Sequence, residues 1–191
     1  HRDLHSFPTR RSSDLRENKL SALILESSIR RRASTPLYFH KALDRSDSEK
    51  DKFSCPYLWD FKGPVLYLSS QLLFLIDIKE LFACFNEDYT LQVFHPSVLM
   101  GMTHPIILFN SEKCRQKLSY EFVNSTSSED LERLNFLSKS EIGYLPNDFL
   151  SLAPKSNSKI VSYQNIPKSQ EETSFTSLWK DEYDYVFQSL I

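Results

Sequence analysis

Three cysteines and two histidine–proline pairs are the first residues in this 191-residue chain whose chemistry demands a reading. Zinc is held by thiolates and imidazoles clustered at short spacing. Cys55, Cys84 and Cys114 instead lie about thirty residues apart, with no C-x-x-C among them. His95-Pro96 and His104-Pro105 are nine residues apart, whereas paired ligands on a helix sit three or four apart. A residue before proline is held extended, so these pairs mark element boundaries, and no metal ligand is assigned. A nucleophilic pair such as Cys55 with His95 would have to be assembled by the fold, because such pairs are spatial and not sequential. Cys84, inside an apolar stretch, reads as an inert core thiol.

Other catalytic signatures are missing. Gly63 and Gly101 are isolated, and with 3 glycines in all the chain has no glycine-rich phosphate cradle. His1-Arg2-Asp3 imitates a kinase catalytic triplet, but no downstream Asn at the required spacing, DFG or glycine loop follows it. The net charge of −2 and the 25% charged content argue against a strongly basic nucleic-acid binder. Trp59, Phe61 and the neighbouring tyrosines are not interleaved with Lys or Arg, as stacking platforms for single strands would be. The odd cysteine count argues against a secreted disulfide framework, so a reducing, cytoplasmic setting is expected. The longest apolar run, 64–85, holds Asp77, Lys79 and Glu80 and is a core element, not a membrane span.

The elements follow from periodicity. Arg16–Ser34 predicts a helix with Leu20, Leu23, Ile24 and Ile29 inward. Arg30-Arg31-Arg32 forms its solvated end, with phosphate binding as the less favoured use. Asp44–Lys52 reads as a polar linker. Val65–Leu68 predicts a strand covered on both faces. Ser70 would then cap a helix over 71–85, with one continuous helix over 64–85 as the competitor. Thr90–Phe94 and Ile106–Phe109 predict strands around a short helix opened by Pro96. Helices are expected over 112–122 and 128–137, the second capped by Ser127, then short strands at 142–145 and 160–163. The last helix, 175–191, places Leu178, Trp179, Tyr183, Val186, Phe187 and Leu190 on one face. The expected class is α/β, a small three-layer sheet with parallel strands flanked by helices, the first two strands paired in parallel. A mainly α fold is the alternative.

Two resemblances add to this. His1–Leu15, HRDLHSFPTRRSSDL, resembles over all fifteen positions the conceptual translation of a sequencing adapter. It implies an artefactual, disordered stretch ahead of a helical segment (16–43), a linker (44–52) and an α/β domain (53–191) that ends a larger protein. Gly63–Thr103 resembles the opening of PIN-like domains: an apolar strand, a short polar step, a helix, then a strand leading to Pro-x-x-V-L. That family implies carboxylates holding Mg²⁺ or Mn²⁺ against a phosphodiester. Here Ser69 stands at the first acid's position, and Met100 with Gly101 at the helix acid's.

The resemblance therefore implies a degenerate pocket at Ser69, Ser70 and Met100, with no catalytic residue, metal or cofactor. The expected function is a non-catalytic interaction module whose partner is a protein or the preceding domains of the same chain. Nucleic acid is unsupported by the charge, and no membrane is implied. The alternatives are a metal-dependent ribonuclease using Asp77, Glu80, Glu129 or Asp130, and a purely structural accessory domain. An exposed apolar patch at Trp179 and Tyr183 would favour the partner interface.

Overall fold

The computed structural model describes residues 10–39, 48–153, 155–163 and 174–188. The His-Arg-Asp triplet, the end of the turn expected near 37–43, the first half of the 44–52 linker and the 166–173 loop lie outside the described residues.

Helix α1 (Arg10–Arg30) opens the described chain. α2 (Ser48–Asp51), a tight turn at Lys52–Ser54 and α3 (Cys55–Leu58) precede β1 (Pro64–Leu68) and β2 (Leu72–Phe74). Then come α4 (Lys79–Phe82), β3 (Leu91–Val93), α5 (Pro96–Leu99) and β4 (Ile106–Asn110). Three short helices follow: α6 (Ser111–Cys114), α7 (Tyr120–Ser125) and α8 (Ser128–Glu132). β5 (Ile142–Tyr144), β6 (Leu150–Ser151), β7 (Ile160–Ser162) and α9 (Ser174–Gln188) complete the order. The class is α/β, as expected.

Two sheets stack between layers of helix. The first has the order β1-β4-β3-β5 and the second β2-β7-β6. β4 is sandwiched. Its Ile106 and Leu108 enter the core between the sheets, while Ile107 and Phe109 enter the core under α6–α8, and all four are 0% exposed. Each such burial contributes on the order of 1.5–3 kcal/mol. The second sheet repeats the pattern, with Leu72, Phe74 and Ile160 facing the first sheet and Leu73 and Val161 facing α1 and α9.

Several expectations are corrected here. β1 is an edge strand, half-buried, and it pairs antiparallel with β4 from Pro64↔Asn110 to Leu68↔Ile106. The first two strands are thus not a parallel pair; parallel pairing occurs between β3 and β5 and between β6 and β7.

The helix expected over 71–85 is strand β2, a loop and the single turn of α4. A helix would spread Leu72, Leu73 and Phe74 over roughly 200° of its surface, whereas a strand sends alternate residues to two cores. The backbone is committed sideways as well. Phe74 N–H donates to Ser28 Oγ at 3.1 Å and Leu75 N–H to the Lys159 carbonyl at 2.8 Å. Asp77 then accepts from the N–H groups of Ser34 and Lys79, both at 3.0 Å, and starts α4.

Lys52, assigned to the linker, is 3% exposed and ion-paired with Glu132. The Arg30–Arg32 end is also tied down. Arg31 and Arg32 reach Glu182 of α9 at 3.0 and 2.6 Å, and Glu182 is 1% exposed. Trp179 is buried in the core between α1, α9 and the second sheet and stacks on Tyr183 at 5.2 Å, so these two form no exposed patch.

Two predictions follow from the packing. A Cβ on Gly143 would lie 2.4 Å from the Tyr89 ring and 2.8 Å from Gln92 Cγ. Gly143→Ala should therefore cost about 1–3 kcal/mol through overpacking, read as a lower urea midpoint. Glu182→Gln leaves two half-exposed guanidinium groups without their counter-charge. It should destabilise by about 1–3 kcal/mol, less than a fully buried pair would, and speed amide exchange selectively in α9.

Candidate functional site

The chain leaves the first sheet at Leu68 and enters the second at Leu72, and a cleft of about 240 Å³ opens at this crossing. It is lined by Ser69, Gln71, Met102, Thr103, Pro105 and Ser162. The C-terminal ends of β1 and β7 and the segment leading into β4 converge on it.

Local hydrogen bonds hold the lining. Ser69 N–H donates to the Pro105 carbonyl at 2.8 Å, which extends the β1–β4 ladder one residue past β1. Tyr163 N–H donates to the Gln71 carbonyl at 3.1 Å, and its phenol donates to the Ser70 carbonyl at 3.4 Å. The crossing peptide is thereby fastened to the end of β7. Ser162 pairs in register with Leu72 and is 8% exposed.

Every lining side chain is uncharged. Three hydroxyls and one carboxamide can each both donate and accept, while Met102 and Pro105 supply apolar surface. A hard divalent cation needs anionic oxygen ligands, and this lining holds none. No group of three or more His, Cys, Asp or Glu is gathered as a metal site among the described residues. The site does not fit a cation.

Among the residues singled out from the sequence, Ser69 lines the cleft. Ser70 contributes only its carbonyl to Tyr163, and Met100 is 82% exposed at the left-handed end of α5, with φ 47°. The acids considered for metal work are dispersed. Asp77 serves α4 as described. Asp130 accepts from Ser127 Oγ at 2.6 Å and Asn135 Nδ2 at 2.9 Å. Glu129 pairs with Arg133, just past the end of α8, at 2.6 Å, and Glu80 is exposed.

His95 caps α5, its Nδ1 accepting from Ser97 N–H at 3.3 Å. Burial, and then the Asp51 charge, push the Cys55 thiol up to about 12, which disfavours its thiolate. Sequence reasoning missed Gln71, Met102, Thr103, Pro105 and Ser162. The signal available for Gln71 was its Ser-Ser-Gln step after an apolar strand; for Ser162 there was none.

His104 stands in the chain between the lining residues Thr103 and Pro105, and its ring bonds to the Glu132 backbone. Burial, then the charge of Lys52, push its imidazole down to about 4. Its Nδ1 is buried with no hydrogen-bond partner among the described residues.

Comparison with known proteins comes from sequence and structure. No family model matches the chain. The sequence is 25% identical to Protein CDI of Arabidopsis thaliana over 193 aligned residues, which cover 83% of this chain and 72% of that protein. The fold matches the bifunctional glycosyltransferase WbbM at TM-score 0.63 and 12% identity, over 88% of this chain and 49% of that one. It matches apo GlyE of Streptococcus pneumoniae at 0.59 and 16%, over 90% and 60% of the two chains. It also matches the galactosyltransferase LgtC, solved with donor and acceptor sugar analogues, at 0.56 and 14%, over 90% and 93%. The chain thus spans about half of WbbM and three-fifths of GlyE.

The fold is the Rossmann-like one of these glycosyltransferases. That finding overturns the PIN-like reading of Gly63–Thr103. The functions expected with it, a degenerate non-catalytic interaction module, a metal-dependent ribonuclease and a structural accessory domain, are withdrawn. Element lengths and apolar positions misled, because the segment read as strand–helix–strand crosses between two sheets. No helix among the described residues is long and apolar enough to cross a membrane.

The lowered His104 pKa predicts an acid-sensitive domain. An imidazole with a lowered folded pKa gives stability that is complete above its ordinary value near 6.5 and is lost as pH falls toward about 4. The loss should reach up to about 3 kcal/mol. Urea denaturation between pH 7.5 and 4 should show this slope, and His104→Gln should flatten it.

Proposed function

We propose that this protein is a glycosyltransferase whose cleft at the β1–β2 crossing holds the glycosyl group being transferred. The lining of the cleft carries the proposal. Sugar hydroxyls both donate and accept hydrogen bonds. The Ser69, Thr103 and Ser162 hydroxyls and the Gln71 carboxamide answer them in kind. Met102 and Pro105 offer apolar surface for the C–H face of a ring. At about 240 Å³ the cleft is smaller than the ~300–1,000 Å³ of sites for drug-sized ligands, a size that suits one sugar unit. The likeness to WbbM, GlyE and LgtC, the last solved with sugar analogues bound, supports the same reading.

In this reading the protein's own residues bind and orient the sugar. Gln71 and Ser162, on opposite sides of the strand pairing, fix the ring, and the apolar pair excludes water from one face. Free thiols at Cys55, Cys84 and Cys114 suit a reducing, cytoplasmic setting.

A panel of nucleotide sugars and neutral oligosaccharides, followed by saturation-transfer NMR and a glycosyl-transfer assay, tests the proposal. Binding of at least one sugar is expected. Gln71→Ala should weaken it about 3- to 10-fold, the worth of one net hydrogen bond of about 1 kcal/mol. If no sugar produces saturation transfer or turnover, the proposal is wrong.

A further inference from the structure

We infer that the cleft engages its sugar without a divalent cation, so that the recognised group is an uncharged glycosyl unit and not a metal-bridged diphosphate. The inference rests on the glycosyl reading above and narrows it to a ligand class.

Its basis is the chemistry of six side chains. A diphosphate brings negative charge into a site, and proteins meet that charge with Lys, Arg, a long helix N-terminus or a carboxylate-held metal. The lining offers none of these: it consists of Ser69, Gln71, Met102, Thr103, Pro105 and Ser162. Ser69 and Gln71 stand two apart on the crossing peptide, and both are neutral. Asp77, the first acid after them in the chain, is already committed to the N–H groups of Ser34 and Lys79. Two described lysines are committed to ion pairs of their own. Lys159 pairs with Asp148 at 2.8 Å, and Lys52 with Glu132.

Hydroxyls and a carboxamide bind Mg²⁺ or Mn²⁺ weakly as neutral oxygen ligands. They are well matched to a polyol, whose hydroxyls meet the same mix of donors and acceptors. The cleft therefore discriminates by hydrogen-bond pattern and not by charge.

The test titrates MnCl₂ into the full chain and follows backbone amides by NMR. In the protein as it stands, Mn²⁺ should leave the Ser69, Gln71, Thr103 and Ser162 amides unbroadened. Affinity for whichever sugar binds in the panel should change less than about twofold between Mn²⁺ and EDTA. In the Ser69→Asp/Gln71→Asp variant the same amides should broaden, because the crossing then carries two carboxylates at ligand spacing.

Site-specific broadening in the unmodified protein, or a tenfold gain in sugar affinity with Mn²⁺, would overturn the inference while leaving the glycosyl reading intact. A sugar panel without a single binder would overturn both. The unmodified protein's response decides the matter even if the double variant fails to fold.

Discussion

β4 is the strand on which the rest of the molecule depends. Ile106 and Leu108 serve one core and Ile107 and Phe109 another, so a one-residue slip would exchange the contents of both cores. Its register with β1 is continued past β1 by the Ser69–Pro105 hydrogen bond. The strand that organises the two cores therefore also sets the floor of the cleft. Core packing and site geometry are one constraint here.

The helices obey a related logic. α1 lies across the second sheet not only through Ile24, Leu25 and Ile29 but through Ser28, a fully buried residue whose Oγ donates to the Leu25 carbonyl and accepts from Phe74 N–H. α9 is closed against α1 by the Glu182 carboxylate between Arg31 and Arg32. Other charges in the described chain serve as fastenings too. Glu141, bonded to Lys117 and to Ser138 at the turn before β5, is drawn down to about 2 by them. The cleft stands apart as a neutral surface. Its hydroxyls and carboxamide offer donors and acceptors without charge, which is what the proposed sugar reading rests on.

Local signals were strongest where one residue decides an element. Pro96 opens α5, and Ser127 Oγ accepts from Asp130 N–H at 3.1 Å to cap α8, both as periodicity and capping chemistry require. Val65–Leu68, Thr90–Phe94 and Ile106–Phe109 were legible as strands because β-branched and aromatic runs bounded by turns have few alternatives. Ser69, which lines the cleft, was singled out only by a family resemblance that does not hold. Gln71 was hidden by the helical spacing of Leu72, Leu75 and Ile76, which in the structure belong to a strand and the loop after it.

The sequence by itself determined the α/β class, most element positions and the uncharged character of the Ser69–Gln71 step. These are properties of composition and of interactions within a few residues. Tertiary structure alone decided that Leu72–Phe74 is a strand, that β1 lies at an edge, and that Ser162 faces Ser69 across ninety residues of chain. A short apolar run satisfies helix and strand equally well until it has partners. Ile160–Ser162, Ser28 and Lys159 supply those partners, and their arrival is a long-range event that no local pattern encodes.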